Sequence, residues 1–164
     1  MAQPDDVPPD NVVLLRRPPI RRDIVVRSDV AHTFDVFTRK LGQWWPTHPY
    51  SLGGADRVVD VQMERSLGGR VYEVWNDGQE VDWGKVIAWD PPGLFAMTWH
   101  TLPAVTEVEL RFRALGPAVT RVQLEHRGWE RLTEEQMLEA TNRYGGYVAG
   151  WKEVLGVFQA AAEG

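Results

Sequence analysis

The chain has no cysteine, which excludes disulfides, thiolate nucleophiles and cysteine-ligated zinc and fits a reducing compartment, so the default location is the cytoplasm. Positive charge is also short. Eighteen Lys and Arg against 23 Asp and Glu leave a formal net charge of -5, and phosphate-backbone binding needs clustered basic side chains that release counterions. Nucleic acid is therefore not an expected partner. No apolar run approaches the 18 or so residues of a membrane span, and the first 19 residues carry Asp5, Asp6 and Asp10 where a signal peptide would carry Lys or Arg. The four histidines, at 32, 48, 100 and 126, form no closely spaced pair of the kind a metal site uses, so no metal is expected. Nucleophile elbows, Walker-type loops and dinucleotide fingerprints are missing as well, and the expected cofactor set is none.

Tryptophan is present in unusual amount: eight, against four tyrosines and five phenylalanines, in a chain of 164 residues and 43% hydrophobic content. Each indole buries a large surface yet still needs a partner for its N–H, so these side chains fill a core or line a cavity. Five of the 11 prolines fall before residue 20, which predicts a flexible proline-rich tail over residues 1–19 and a single domain over 20–164.

From Ile20 to Arg27 the run is β-branched and predicts a strand. Ser28 then offers an N-cap for a helix carrying Val30, Phe34, Phe37 and Leu41 on one face, followed at most by one short turn through Trp44 and Trp45 before Pro46. After a loop over Thr47–Arg57 the pattern changes to period two. Six strands are predicted over Val58–Glu64, Arg70–Trp75, Val81–Asp90, Leu94–His100, Thr106–Leu115 and Val119–His126, separated by turn residues too short for anything but antiparallel neighbours. Thr133, Glu134, Glu135 and Gln136 form a capping box that opens a long helix. Its apolar stripe is Met137, Thr141, Tyr144, Val148, Trp151, Leu155 and Phe158, with a bend or close approach expected near Gly145.

Particular residues within this order resemble the START-related superfamily, and within it the bacterial branch named after the activator of heat shock protein 90 ATPase. They are Trp44-Trp45, Gly68-Gly69, Trp83-Gly84-Lys85-Val86, Asp90-Pro91-Pro92, Thr98-Trp99, His126-Arg127-Gly128-Trp129 and Gly150-Trp151, and the match runs over residues 20 to 162. The resemblance implies an α+β helix-grip fold: a curved seven-stranded antiparallel sheet wrapped on a long C-terminal helix, with two short helices after the first strand. It also implies a cavity between sheet and helix. Members of the superfamily bind lipids, sterols and aromatic metabolites, some cyclise or dehydrate polyketides, and the eukaryotic namesake stimulates a chaperone ATPase.

Three functions follow as expectations. The first is binding of a small apolar or aromatic molecule, lined by Trp45, Val71, Glu73, Trp75, Trp83, Met97, Trp99, Phe112, His126, Tyr144, Val148 and Trp151. The second is a cyclase or dehydratase that uses Glu73 and His126 as acid and base. His126 continues the inward phase of Thr120, Val122 and Leu124, whereas Glu73 points inward only if Val71 and Trp75 do. Each also has a structural reading: an imidazole satisfied by backbone or the Trp129 region, and a carboxylate paired with Arg70 or an indole N–H. His48 and His100 flank proline-containing loops and are expected near the cavity mouth, and Trp44 and Trp45 must point apart. The third function, interaction with a chaperone, ranks last, and the assembly is read as monomer or homodimer.

Overall fold

The computed structural model describes residues 17–144 and 146–164, with no side chains described for 142–144. Almost all of the expected tail thus lies outside the described residues. Arg17 does not: its guanidinium donates to the carbonyl oxygens of Trp129 (2.7 Å) and Leu132.

The elements run β1 (Ile20–Val26), α1 (Val30–Thr38), α2 (Leu41–Trp44), α3 (Gly54–Arg57), β2 (Val58–Met63), β3 (Arg70–Trp75), β4 (Glu80–Asp90), β5 (Leu94–Trp99), β6 (Thr106–Gly116), β7 (Val119–Arg127), a 3-10 turn (Trp129–Arg131), α4 (Glu134–Tyr144) and α5 (Tyr147–Glu163). The seven strands make one antiparallel sheet in the order β1-β7-β6-β5-β4-β3-β2. This is the helix-grip α+β architecture. Every strand lies within one residue of its expected bounds, and the expected phase of β6 and β7 holds. Val108, Leu110, Phe112, Thr120, Val122, Leu124 and His126 are buried on the face that packs against the helices. The opposite face carries ion pairs such as Arg127 with Glu107 and Glu109.

Three local expectations are corrected. Helix α1 is capped by Asp29, whose carboxylate accepts from the His32 amide at 2.7 Å, one residue later than Ser28. Within the loop read over 47–57, residues 54–57 close one helical turn. The long C-terminal helix is two helices. The capping box forms as expected, Thr133 N–H donating to Gln136 Oε1 (3.0 Å) and Gln136 N–H to Thr133 Oγ1 (3.1 Å), but α4 ends at Tyr144 and Gly146 adopts φ 96°, a left-handed value that breaks the ladder. The break resets the buried face. On α5 it comprises Gly150, Trp151, Val154, Leu155, Phe158 and Ala162, while Val148, in the first turn, is 52% exposed.

The core has two zones. Phe34, Phe37, Phe95, Phe112 and Phe158 interlock between α1, α5 and the sheet, with edge-on pairs such as Phe37–Phe158 at 4.9 Å between centroids. Most of the tryptophans gather at the other end, whereas Trp89 packs on Phe34 at 5.3 Å. Trp44 bridges the two zones, at 5.1 Å from Phe37 and 5.6 Å from Trp45. Among the described residues no helix is long and apolar enough to cross a membrane.

The close approach of β4 to β5 depends on Gly84, where a Cβ would sit 1.7 Å from the Thr98 carbonyl oxygen. Gly84→Ala should therefore cost about 3 kcal/mol or more, since backbone and not a flexible side chain must yield. Urea denaturation of the variant measures this, and a cost below 1 kcal/mol or so would mean the strands separate easily.

Candidate functional site

Strand phase brings Glu73, on β3, to the inner face, and the side chain is fully buried. A buried carboxylate needs donors for its lone pairs, and the sequence supplies them from both sides. Oε1 accepts from the Leu52 amide (2.8 Å) and Trp83 Nε1 (2.6 Å); Oε2 accepts from the Gly53 amide (2.7 Å) and Trp75 Nε1 (2.7 Å). Arg70, the other partner considered for Glu73, pairs instead with Asp82 and Glu80 on the surface. Glu73 thus fixes the loop before α3 and two indoles at once, and no lone pair is left to take up a substrate proton.

His126 is the second buried polar anchor. Trp151 Nε1 donates to its Nδ1 at 3.0 Å, and because an indole can only donate, Nδ1 carries no hydrogen. The hydrogen sits on Nε2, which donates to Thr106 Oγ1 at 2.8 Å. Burial pushes the pKa of the imidazole down from its usual 6.5 to about 3, which keeps the ring neutral. The His126 carbonyl accepts from Trp129 Nε1 (2.8 Å), and the ring lies 4.3 Å from that indole.

Between these anchors four indoles enclose a cleft. Trp45 lies 5.0 Å from Trp83, 6.5 Å from Trp99 and 6.1 Å from Trp151, while Trp99 is 5.8 Å from Trp83 and 5.4 Å from Trp151. The cleft opens between the 46–53 loop and the start of α5, where Tyr50, Leu52, Thr101, Tyr147, Gly150 and Val154 complete its lining. It is narrow: about 50 Å³ admits the centre of a water-sized body, room for a few waters. A smaller void of about 10 Å³ lies deeper, walled by Val71, Met97 and Leu110 as well as by Trp45, Trp83, Trp99 and Trp151.

The mouth is latched. Tyr50 lies flat against α5 where Gly150 offers no side chain; a Cβ there would stand 3.3 Å from the ring. Its hydroxyl donates to Glu153 Oε1 at 2.7 Å, and burial together with that carboxylate pushes its pKa up to about 12. The Tyr50 carbonyl in turn accepts from Trp45 Nε1 at 2.6 Å, which ties the mouth loop to the cleft wall.

Of the side chains expected around a ligand, Trp45, Trp83, Trp99 and Trp151 line the open cleft, and Val71 and Met97 line the inner void. Glu73 and His126 stand behind the indoles they hold. Three expected positions fall elsewhere. Trp75 covers the outer side of Glu73 with the Arg57 guanidinium 5.2 Å from its ring, Phe112 belongs to the phenylalanine zone, and Val148 faces outward. The side chain of Tyr144 lies outside the described residues. His48 and His100 are exposed and neither lines the cleft, His100 Nε2 bonding Thr98 Oγ1 at 2.8 Å. Trp44 and Trp45 are both buried with their rings 5.6 Å apart, and only their N–H groups diverge, Trp44 Nε1 donating to the Val36 carbonyl at 2.8 Å and Trp45 Nε1 to that of Tyr50. Sequence reasoning missed Tyr50, Leu52, Thr101 and Tyr147, which sit in or beside loops without periodicity, and Val154, which lies on α5 off the expected stripe.

Residues 28–163 match the family model described as Activator of Hsp90 ATPase homolog 1-like protein. The chain belongs to this family. No curated protein matches it. Among solved structures, the self-sacrificing resistance protein CalC from Micromonospora echinospora is similar at 25% identity and a TM-score of 0.64, over 88% of this chain and 94% of that one. An anthrahydroquino-γ-pyrone synthase is similar at 29% identity and a TM-score of 0.54, over 90% and 98%. The Aha1 dimer from Colwellia psychrerythraea, at 17% identity, a TM-score of 0.62 and coverage of 90% and 97%, shares the fold.

Two predictions follow from the anchors. Glu73→Gln keeps the shape but turns an amide NH₂ toward N–H donors, so about 3 kcal/mol of stability should be lost; a fluorescence-monitored urea melt reads it, and an unchanged midpoint would contradict the four-donor arrangement. For His126 the folded pKa lies below the unfolded one, so its contribution is fully present above pH 6.5 and is lost as pH falls toward 3. The wild type should lose up to about 1.4 kcal/mol per pH unit more than His126→Asn below pH 6.5. Parallel stability curves for the two proteins would refute it.

Proposed function

We propose that this chain binds a small, flat, apolar or aromatic molecule in the cleft between the sheet and α5, without metal or nucleotide. The observation that carries the reading is the set of indoles from Trp45, Trp83, Trp99 and Trp151 around one cleft, three of them fixed by hydrogen bonds to Tyr50, Glu73 and His126. Rigid aromatic walls bind aromatic faces with little entropy left to lose, and offset or edge-on ring contacts add roughly 0.5–1.5 kcal/mol each. One similar structure is that of an anthrahydroquino-γ-pyrone synthase, an enzyme named for an aromatic product.

The cleft as it stands is smaller than the roughly 300–1,000 Å³ of a drug-sized ligand site. Entry therefore requires the mouth loop to swing out, breaking the Tyr50–Glu153 bond while the Glu73 end of the loop stays fixed. A cyclase or dehydratase using Glu73 and His126 has no free acceptor on the first and a neutral, doubly bonded ring on the second. The chaperone-partner reading is supported by the family description alone.

Val154→Phe tests the binding reading by placing a ring in the cleft space beside Trp151. Fluorescence titration with 1-anilinonaphthalene-8-sulfonate and with fluorene should show saturable binding of at least one to the folded wild type. The variant should bind that probe at least tenfold more weakly. Equal binding by both proteins would place the probe elsewhere and sink the reading.

A further inference from the structure

Buried indole N–H groups in this protein are partnered with one exception. Trp44, Trp45, Trp75, Trp83, Trp129 and Trp151 donate to Val36, Tyr50, Glu73, Glu73 again, the His126 carbonyl and the His126 ring, respectively. Trp99 Nε1 is buried and has no hydrogen-bond partner, although the residue is only 7% exposed. An unmade bond at a buried donor is costly, a penalty these six indoles avoid. Trp99 closes β5 and lines both the open cleft and the deeper void, so it stands where a ligand passing the mouth would meet the inner wall.

We propose that the Trp99 indole N–H is the specificity donor of the cleft, and that it selects aromatic molecules bearing a neutral acceptor oxygen, of the ketone, quinone or pyrone kind, over plain aromatic hydrocarbons. The inference rests on the cleft being the binding site. An indole N–H can only donate, so the complementary ligand atom must be an acceptor. The neighbouring charge argues for a neutral one. Glu73 sits behind Trp83, Glu153 stands at the mouth, and no basic side chain lines the cleft among the described residues, so a carboxylate or phosphate would enter against two acidic groups. A ligand carbonyl would satisfy the orphaned donor while its ring system takes the aromatic walls. A hydrocarbon of the same shape would fill the walls and leave the donor unpaired.

Calorimetric titration of fluorene and 9-fluorenone, which differ by one carbonyl oxygen, separates the two. Wild type should bind fluorenone about tenfold more tightly, and Trp99→Phe, which keeps an aromatic wall but removes the N–H, should bring the pair within about twofold. Equal affinities in the wild type, or a preference that survives in Trp99→Phe, overturn the inference while leaving aromatic binding intact. Binding of neither compound by the wild type overturns the aromatic-cleft reading, and the inference falls with it. Should Trp99→Phe not fold, the wild type decides alone: the Trp99 indole proton must move downfield with fluorenone and not with fluorene, and an identical response to both refutes the proposal.

Discussion

The site depends on one constraint, that burying an indole is costly unless its N–H finds an acceptor. In a fold with eight tryptophans this demand is large, and for Trp83 and Trp151 at the cleft it is met by two buried polar side chains, Glu73 and His126. Glu73 takes two indoles and two loop amides; His126 takes one indole on its ring and one on its carbonyl. Their burial would be costly alone, and each is stable because it completes several donors at once. The same bonds hold rings that wall the cleft, so polar groups that look like catalytic candidates also help shape an apolar space.

This arrangement links mouth and wall. The 46–53 loop is tied down at Leu52 and Gly53 by Glu73, held across α5 by Tyr50 and Glu153, and joined to the wall through the Tyr50 carbonyl and Trp45. The outer tie at Tyr50 and the inner ties at Leu52 and Gly53 are thus separate sets of bonds. The helix break at Gly146 works in the same region. It turns the chain so that Tyr147 and Gly150, and not Val148, face the mouth.

How much of this was legible follows from the range of each signal. Period-two alternation is local, so strand positions and the inward phase of His126 could be read from β7 alone. The capping box at Thr133 is equally local and formed as written. The fate of Glu73 was not local: its donors come from residues 52, 53, 75 and 83, and only the folded loop brings the two amides within reach. Val148 was misplaced because an unbroken stripe was carried across Gly145 and Gly146, where one left-handed residue resets the helical phase. Tyr50 and Thr101 carry no pattern that marks them, since loop residues are placed by their neighbours and not by periodicity.

The central claim is that His126 and Glu73 are fixed acceptors for indoles, and nitrogen NMR of the His126 ring tests it most directly. The account predicts an Nε2–H tautomer, with Nδ1 carrying the signal of a hydrogen-bonded acceptor, and no titration between about pH 8 and about pH 5, because burial holds the pKa near 3. A ring that titrates near its ordinary value of about 6.5, or that carries its proton on Nδ1, would contradict it. Trp151 would then have no acceptor, and His126 would again be a candidate acid or base.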